Sequence, residues 1–254
     1  MGNKINNFSI NIFFNAIEKK RSVLYQNTDS MILMLDKNNK LISEKYIVFF
    51  NNKISNDGSL ELVNKRTDKD FRETINLNLD KIDKNIKKIL FILNINKAQE
   101  NKLDFSYIEN LNIKILEKES KNIFAEYNPS INFNNCFFVS LISFVLDQEW
   151  NLEVVEEGYK EDFYDFLNKF FDDLNNNSNN LENNGTLFEE WCYKILESTK
   201  QSSMLEIKAK YKELIKSFHP DTIQALNLHK DIVEFAKQRF MDIKKAYDYI
   251  KKIK

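Results

Sequence analysis

Cysteine is nearly absent: Cys136 and Cys192 are the only two. Two isolated thiols, one inside the apolar run "CFFVSLISFVL", exclude a disulfide framework and a cysteine-rich zinc site. They read as small buried hydrophobes of a reducing cytosol. Histidine is as scarce, with His219 and His229 alone, and neither has a cysteine or carboxylate cluster beside it that would make a metal centre. Four glycines and two prolines leave no phosphate-cradling loop. No nucleophile–base pair is visible either, so the expectation is a protein that is not an enzyme and needs no organic cofactor. Charge of one sign is missing too. Lys+Arg 37 against Asp+Glu 38 leaves a net −1, which argues against a general nucleic-acid binder. Apolar runs long enough to span a bilayer do not occur, and Cys136–Leu146 is too short. The opening "MGNKINNFSINIFF" lacks the unbroken apolar core of a signal peptide, and Asn6 stands where a myristoylation signal wants Ser or Thr. A soluble, cytoplasmic chain with no transmembrane segment is expected.

What the chain does contain is apolar material in two rhythms. From about residue 30 to 158 the period is two. Ile75, Leu77 and Leu79 alternate with polar partners, as do Leu111, Ile113 and Ile115, and then Trp150, Leu152 and Val154. Such alternation puts one face of each strand in a core. Turn signals separate the runs, notably "SNDGS" with Gly58 where positive φ is tolerated. Short strands without intervening helices predict an antiparallel β-sandwich. The first 25 residues, including "FFNAIEKKRSVLY", suit either an edge strand or a short helix.

After Gly158 the period becomes helical. "YKEDFYDFLNKFF" predicts a helix trailing the sandwich, so the first domain is drawn at 1–170. Residues 171–185, which include "DDLNNNSNNLENNG", are too poor in apolar anchors to offset chain entropy and read as a flexible linker. From 186 to 254 three helices are expected, near 186–197, 204–217 and 231–252. Thr186 with Glu189 and Ser203 with Glu206 fit capping boxes, and Asp231 or an earlier residue caps the third helix. Ile207, Tyr211, Leu214 and Phe218 form one stripe. Ile232, Ala236, Phe240, Ile243, Tyr247 and Ile250 form the facing one. The result is an antiparallel all-α hairpin, with Phe188, Trp191 and Ile195 of the first helix covering its open side.

Between the second and third helices stands "HPD", His219-Pro220-Asp221. Pro220 fixes φ and ends the helix, so the turn presents His219 and Asp221 stiffly. Lys208, Lys210, Lys212 and Lys216 line the helix before it, a basic face suited to steering an acidic partner. "YKILESTKQSSMLEIKAKYKELIKSFHPDTIQ" and "QRFMDIKKAYDYI", within residues 187–254, resemble the J-domain of DnaJ-family co-chaperones. The resemblance implies a DnaK-type heat-shock ATPase as partner, whose hydrolysis is stimulated through His219, Pro220 and Asp221 with Lys208, Lys212 and Lys216 guiding contact. Ser217 and Glu213 depart from the usual basic face. They favour the alternative of a stress-response binding or sensor protein whose degenerate J-domain only mediates interaction.

Residues 27–160 resemble, more distantly, the TerD-type tellurium-resistance and stress proteins. The anchors are "FFNN" at 49–52, "DGS" at 57–59, Glu73, "KILFILNI", Trp150 and "GY" at 158–159. That family implies a β-sandwich binding calcium through acidic loops, which would place Asn27, Asp29, Asp68, Asp70 and Glu73 around the ion. Asn27, Phe71 and Arg72 stand where the family carries acids, and calcium prefers several carboxylates. Two readings stay open: a calcium site thinned by these replacements, or a solvated loop without metal. The client or ligand of the sandwich is not legible.

Overall fold

The computed structural model describes residues 6–42, 44–50, 52–64, 71–129, 133–161, 163–170, 185–219 and 230–254. The chain divides into two compact units, Met1–Asp162 and Phe163–Lys254.

Among the described residues the first unit is a sandwich of two five-stranded sheets in which every strand pair is antiparallel. Its strands are β1 (Asn7–Ala16), β2 (Thr28–Leu35), β3 (Ile47–Val48), β4 (Leu60–Asn64), β5 (Phe71–Asn78), β6 (Lys88–Ile95), β7 (Ile108–Glu117), β8 (Ile123–Tyr127), β9 (Phe138–Leu146) and β10 (Trp150–Tyr159). One sheet runs β4-β5-β1-β7-β8, the other β10-β9-β6-β2-β3. Helices α1 (Arg21–Asn27) and α2 (Ala98–Asn101) sit in the connections.

The two sheets bury their residues differently. In the first, Phe8, Ile10, Ile12 and Phe14 of β1 alternate inward, as do Ile75 and Leu77 of β5 and Leu111, Ile113 and Ile115 of β7. In the second, the near-continuous apolar runs of β2, β6 and β9 are buried along almost their whole length. Such runs suit interior strand positions, and all three occupy them. Phe8 meets Phe144 at 5.7 Å between ring centroids, joining the inner faces of the two sheets.

Two details depart from the sequence reading. The N-terminal segment makes neither an edge strand nor a lone helix. It supplies β1, the middle strand of its sheet, followed by α1. Its "NFSINIFFNA" alternates as cleanly as any strand, and centrality follows because β5 and β7 both pair with it. On β10 the alternation breaks down: Val154 is 53% exposed because a register shift between Val154 and Glu157 bulges this edge strand.

Gly158 is explained by packing. A Cβ there would lie 2.7 Å from Cys136 Sγ and 2.8 Å from a ring carbon of Phe133.

The second unit contains α3 (Phe163–Asn168), α4 (Gly185–Ile195), α5 (Met204–Ser217) and α6 (Lys230–Ile253). Its core joins Phe188, Trp191, Cys192, Ile195 and Leu196 to Ile207 and Leu214 of α5 and to Ile243, Ala246 and Ile250 of α6. The predicted bounds of α5 match. Helix α4 starts at Gly185, so Thr186 lies inside its first turn rather than ahead of it. Asp231 likewise falls within α6. Helix α3 packs against α6 and is grouped with this unit, while the proposed linker falls outside the described residues apart from Gly185, which opens α4. No helix among the described residues is long and apolar enough to cross a membrane.

Candidate functional site

Helix α5 is set at its start by the predicted capping box. The Ser203 hydroxyl accepts from the Glu206 N–H at 3.3 Å, and the Ser203 N–H donates to Glu206 Oε2 at 2.7 Å. Each bond satisfies a donor that the helix leaves orphaned. At its far end the Phe218 N–H reaches the Leu214 carbonyl at 3.0 Å, and His219 follows. Between these limits Lys208, Lys212 and Lys216 are exposed. Their four-residue spacing puts all three on one stripe of the helix. Lys210 lies off that stripe, paired with Glu197 at 3.4 Å and Glu213 at 3.6 Å.

Helix α6 braces the opposite side. Tyr211 stacks on Tyr247 with centroids 3.9 Å apart and planes 13° off parallel. His219 is half-buried, its ring edge-on to Phe240 at 5.6 Å and 86°. Aromatic pairs in this geometry fix relative orientation at low entropic cost. The imidazole is therefore positioned by the long helix, at the head of the lysine stripe. Pro220 and Asp221, the remaining members of the predicted turn, lie outside the described residues.

The residues assigned to a calcium site are placed on several elements. Asn27 ends α1, where its side-chain amide donates to the Val23 carbonyl at 2.7 Å and its own carbonyl accepts from the Asn96 N–H at 2.6 Å. Asp29, on β2, is 5% exposed and accepts from the Asn96 side chain, which in turn accepts from Asn94 at 2.8 Å. Glu73, on β5, is 1% exposed, and its Oε2 takes the Ser30 N–H of β2 at 2.8 Å. That bond runs between the two sheets. It satisfies a backbone donor on a stretch of β2 beyond the two-residue strand β3. Arg72 is not buried where it would repel a cation: the strand's period of two turns it to the solvent face, over the Phe13 ring at 5.2 Å. Asp68 and Asp70 lie outside the described residues. Among the described residues no three His, Cys, Asp or Glu side chains form a metal-holding group. The two buried carboxylates, Asp29 and Glu73, are hard-oxygen donors of the kind calcium takes, in smaller number than it prefers.

Sequence reasoning missed two polar features. Nothing in the pattern marked Asn94 and Asn96 as the support of Asp29. The "SNDGS" turn is a larger structure than its glycine suggests. Gly58 has φ +66°, while Asp57 accepts from Ser55 Oγ at 2.7 Å, the Ser59 N–H at 2.9 Å and the Asp83 N–H at 2.8 Å. Burial pushes the Asp57 carboxyl up, and the bonds from Ser59, Ser55 and Asp83 outweigh it, leaving the group below its ordinary value.

Comparison with known proteins follows the same division. The TerD domain model matches residues 4–170, and the DnaJ domain model matches 191–254. The chain is 28% identical over 134 residues to the stress response protein SCP2 of Bacillus subtilis, covering 51% of this chain and 67% of that protein. Over 62 residues it is 37% identical to the co-chaperone protein DjlA of Coxiella burnetii, covering 24% of this chain. The match spans 23% of DjlA, so the likeness is to one domain of it. A solved homologue of the telluride resistance protein TerD from Streptomyces coelicolor superposes with a TM-score of 0.51 at 14% identity, covering 65% of this chain and 96% of that one. At that identity the likeness speaks for the sandwich fold alone.

Proposed function

The chain belongs to the TerD family and carries a J-domain after its sandwich, and on that premise we propose that it works as a co-chaperone. In this reading the J-domain recruits a DnaK-type heat-shock ATPase and stimulates its ATP hydrolysis, while the sandwich brings that ATPase to a stress-related target. The chemistry belongs to the partner, and this chain acts in the cytoplasm as its regulator. The observation that carries the reading is the exposed stripe of Lys208, Lys212 and Lys216 leading directly to His219, whose ring is braced on Phe240. Charge on the stripe accelerates encounter with an acidic surface. A turn whose φ is fixed by Pro220, as the sequence requires, would then dock with little entropy to lose, Asp221 engaging a cationic group of the ATPase. Holding sandwich and J-domain in one chain raises the concentration of recruited ATPase near whatever the sandwich binds.

The test is kinetic. Association of the full chain with a DnaK-type protein is followed against ionic strength, with a Lys208→Glu/Lys212→Glu/Lys216→Glu variant beside it. The reading requires wild-type association to slow as salt rises, and the variant to associate at least about tenfold more slowly at low salt. Equal rates for the two proteins would contradict it.

Calcium is a second reading for the sandwich, favoured by the two nearly buried carboxylates of Asp29 and Glu73. A cation beside them would offset the cost of burying charge. Asp29, Glu73 and the acids Asp68 and Asp70 would provide the ligands, with Asn27 through its side-chain carbonyl. Titration calorimetry of the chelator-treated chain tests it. Heat of binding that disappears in Asp29→Asn supports the site, and no heat in either protein removes it.

A further inference from the structure

A cavity of about 270 Å³ opens on the first sheet, where β4 begins and β5 ends, and none of the residues discussed above as a docking or calcium site lines it. Its polar walls are Asn7, Glu61, Asn76, Asn78, Lys81 and Lys118, with Gly58 and Ser59 beside them, while the side chain of Leu77, between the two asparagines, turns into the core. We propose that this cavity is a binding site for a neutral, polyhydroxylated ligand, a sugar ring of a carbohydrate.

Strand register places these groups. Asn7 of β1 sits opposite Asn78 of β5, and Glu61 of β4 opposite Asn76 of β5, so two adjacent rows of the pleat face the opening. Existing bonds fix which way the amides point. The Asn76 side chain donates to Glu61 Oε2 at 3.0 Å, which leaves its oxygen to accept. Asn78 accepts from the Asp80 N–H at 3.0 Å, leaving its NH₂ to donate. The Lys81 and Lys118 ammonium groups form no ion pair among the described residues and add further donors. The lining thus mixes donors and acceptors in the way sugar hydroxyls, each both donor and acceptor, can satisfy.

Charge narrows the class. The two lysines are offset by Glu61 in the wall and by Asp57, which is hydrogen-bonded to Ser59 of the lining, and this weakens the positive field an anion would need. With the Leu77 side chain turned into the core, the walls offer too little apolar surface for a lipid or an aromatic ligand. The volume lies near the small end of ligand pockets, about 300–1,000 Å³, and suits a single ring. The rim is preorganised, because the Asp57 bonds to Ser55, Ser59 and Asp83 hold the 55–59 turn in place. At Gly58 a Cβ would meet nothing within 4 Å, so the mouth is open on that side.

The experiment is an amide chemical-shift titration of the ¹⁵N-labelled full chain. The probes are glucose, mannose and N-acetylglucosamine, each as monosaccharide and as tetrasaccharide, raised to about 10 mM. The proposal requires at least one sugar to shift resonances of the cavity residues selectively. An Asn76→Ala/Asn78→Ala variant should bind it about tenfold or more weakly, while Asn112→Ala, elsewhere on the same sheet, binds as wild type does. Tighter binding of the tetrasaccharide marks a glycan chain as the source, and equal binding marks a free sugar. No selective shift with any probe overturns the proposal, as does inorganic phosphate shifting the same residues more strongly than every sugar. Neither result touches the co-chaperone reading, which rests on the other unit.

Discussion

Replacing Glu73 by alanine separates two roles that a single carboxylate can fill. The side chain is 1% exposed and its Oε2 takes the Ser30 N–H at 2.8 Å. Truncation strands that backbone donor in the interior, at a cost of about 1–3 kcal/mol. Taking about 2 kcal/mol and about 2–4 °C per kcal/mol for a domain of this size, the sandwich should melt about 4–8 °C lower. Glu73→Gln retains a carbonyl to accept the bond and should lose less than half as much. Thermal melting by circular dichroism, in a calcium chelator and again in millimolar calcium, measures both variants. Amide hydrogen exchange at Ser30 locates the damage. If the bond between the sheets is the main role, the loss in Glu73→Ala is the same with and without calcium, and Ser30 exchanges faster in both. A variant as stable as wild type in chelator, and weaker only when calcium is supplied, would refute that reasoning and make Glu73 an ion ligand first.

Other substitutions probe other parts of the account. Gly158→Ala forces a methyl to within 2.7 Å of Cys136 Sγ, so the sandwich should lose about 1–3 kcal/mol in denaturant unfolding, with part of it restored by Cys136→Ala. Asp57 titrates below its ordinary 3.8 when folded, so its contribution to stability is complete above that value and disappears as pH falls through the folded pKa. Between about pH 5 and pH 3, melting temperature should therefore drop less in Asp57→Asn than in wild type, and an equal drop would discount the turn network. Burial pushes the Cys192 thiol up to about 12 and raises that of Cys136 as well. Neither should react with maleimide in the native chain at neutral pH, both should react once guanidinium unfolds it, and rapid native labelling would contradict the packing.

The sequence was informative where periodicity and capping decide structure. Ile75, Leu77, Leu111, Ile113 and Ile115 lie inside as their alternation requires, and Ser203 with Glu206 marked the start of α5 to the residue. Helical stripes likewise named most of the core of the second unit, including Ile207, Leu214, Ile243 and Ile250. Pairing partners were harder to foresee. The alternation of β1 was visible, but its central place depends on β5 and β7, which are distant in the chain. The bulge that exposes Val154 depends on β9 in the same way. Polar support was the least legible. Asn96 under Asp29, Asp83 beside Asp57 and Ser30 beside Glu73 come together only through the tertiary fold, across turns and between the two sheets. Isolated asparagines and serines carry no periodic signal that would reveal such contacts.

Single-turnover hydrolysis of ATP by a DnaK-type protein tests the central claim most directly. The full chain should accelerate hydrolysis several-fold, with His219→Gln and Asp221→Asn each abolishing most of the gain while their circular dichroism stays that of wild type. Acceleration that survives both substitutions, or none from the wild-type chain at saturating concentration, would contradict the account.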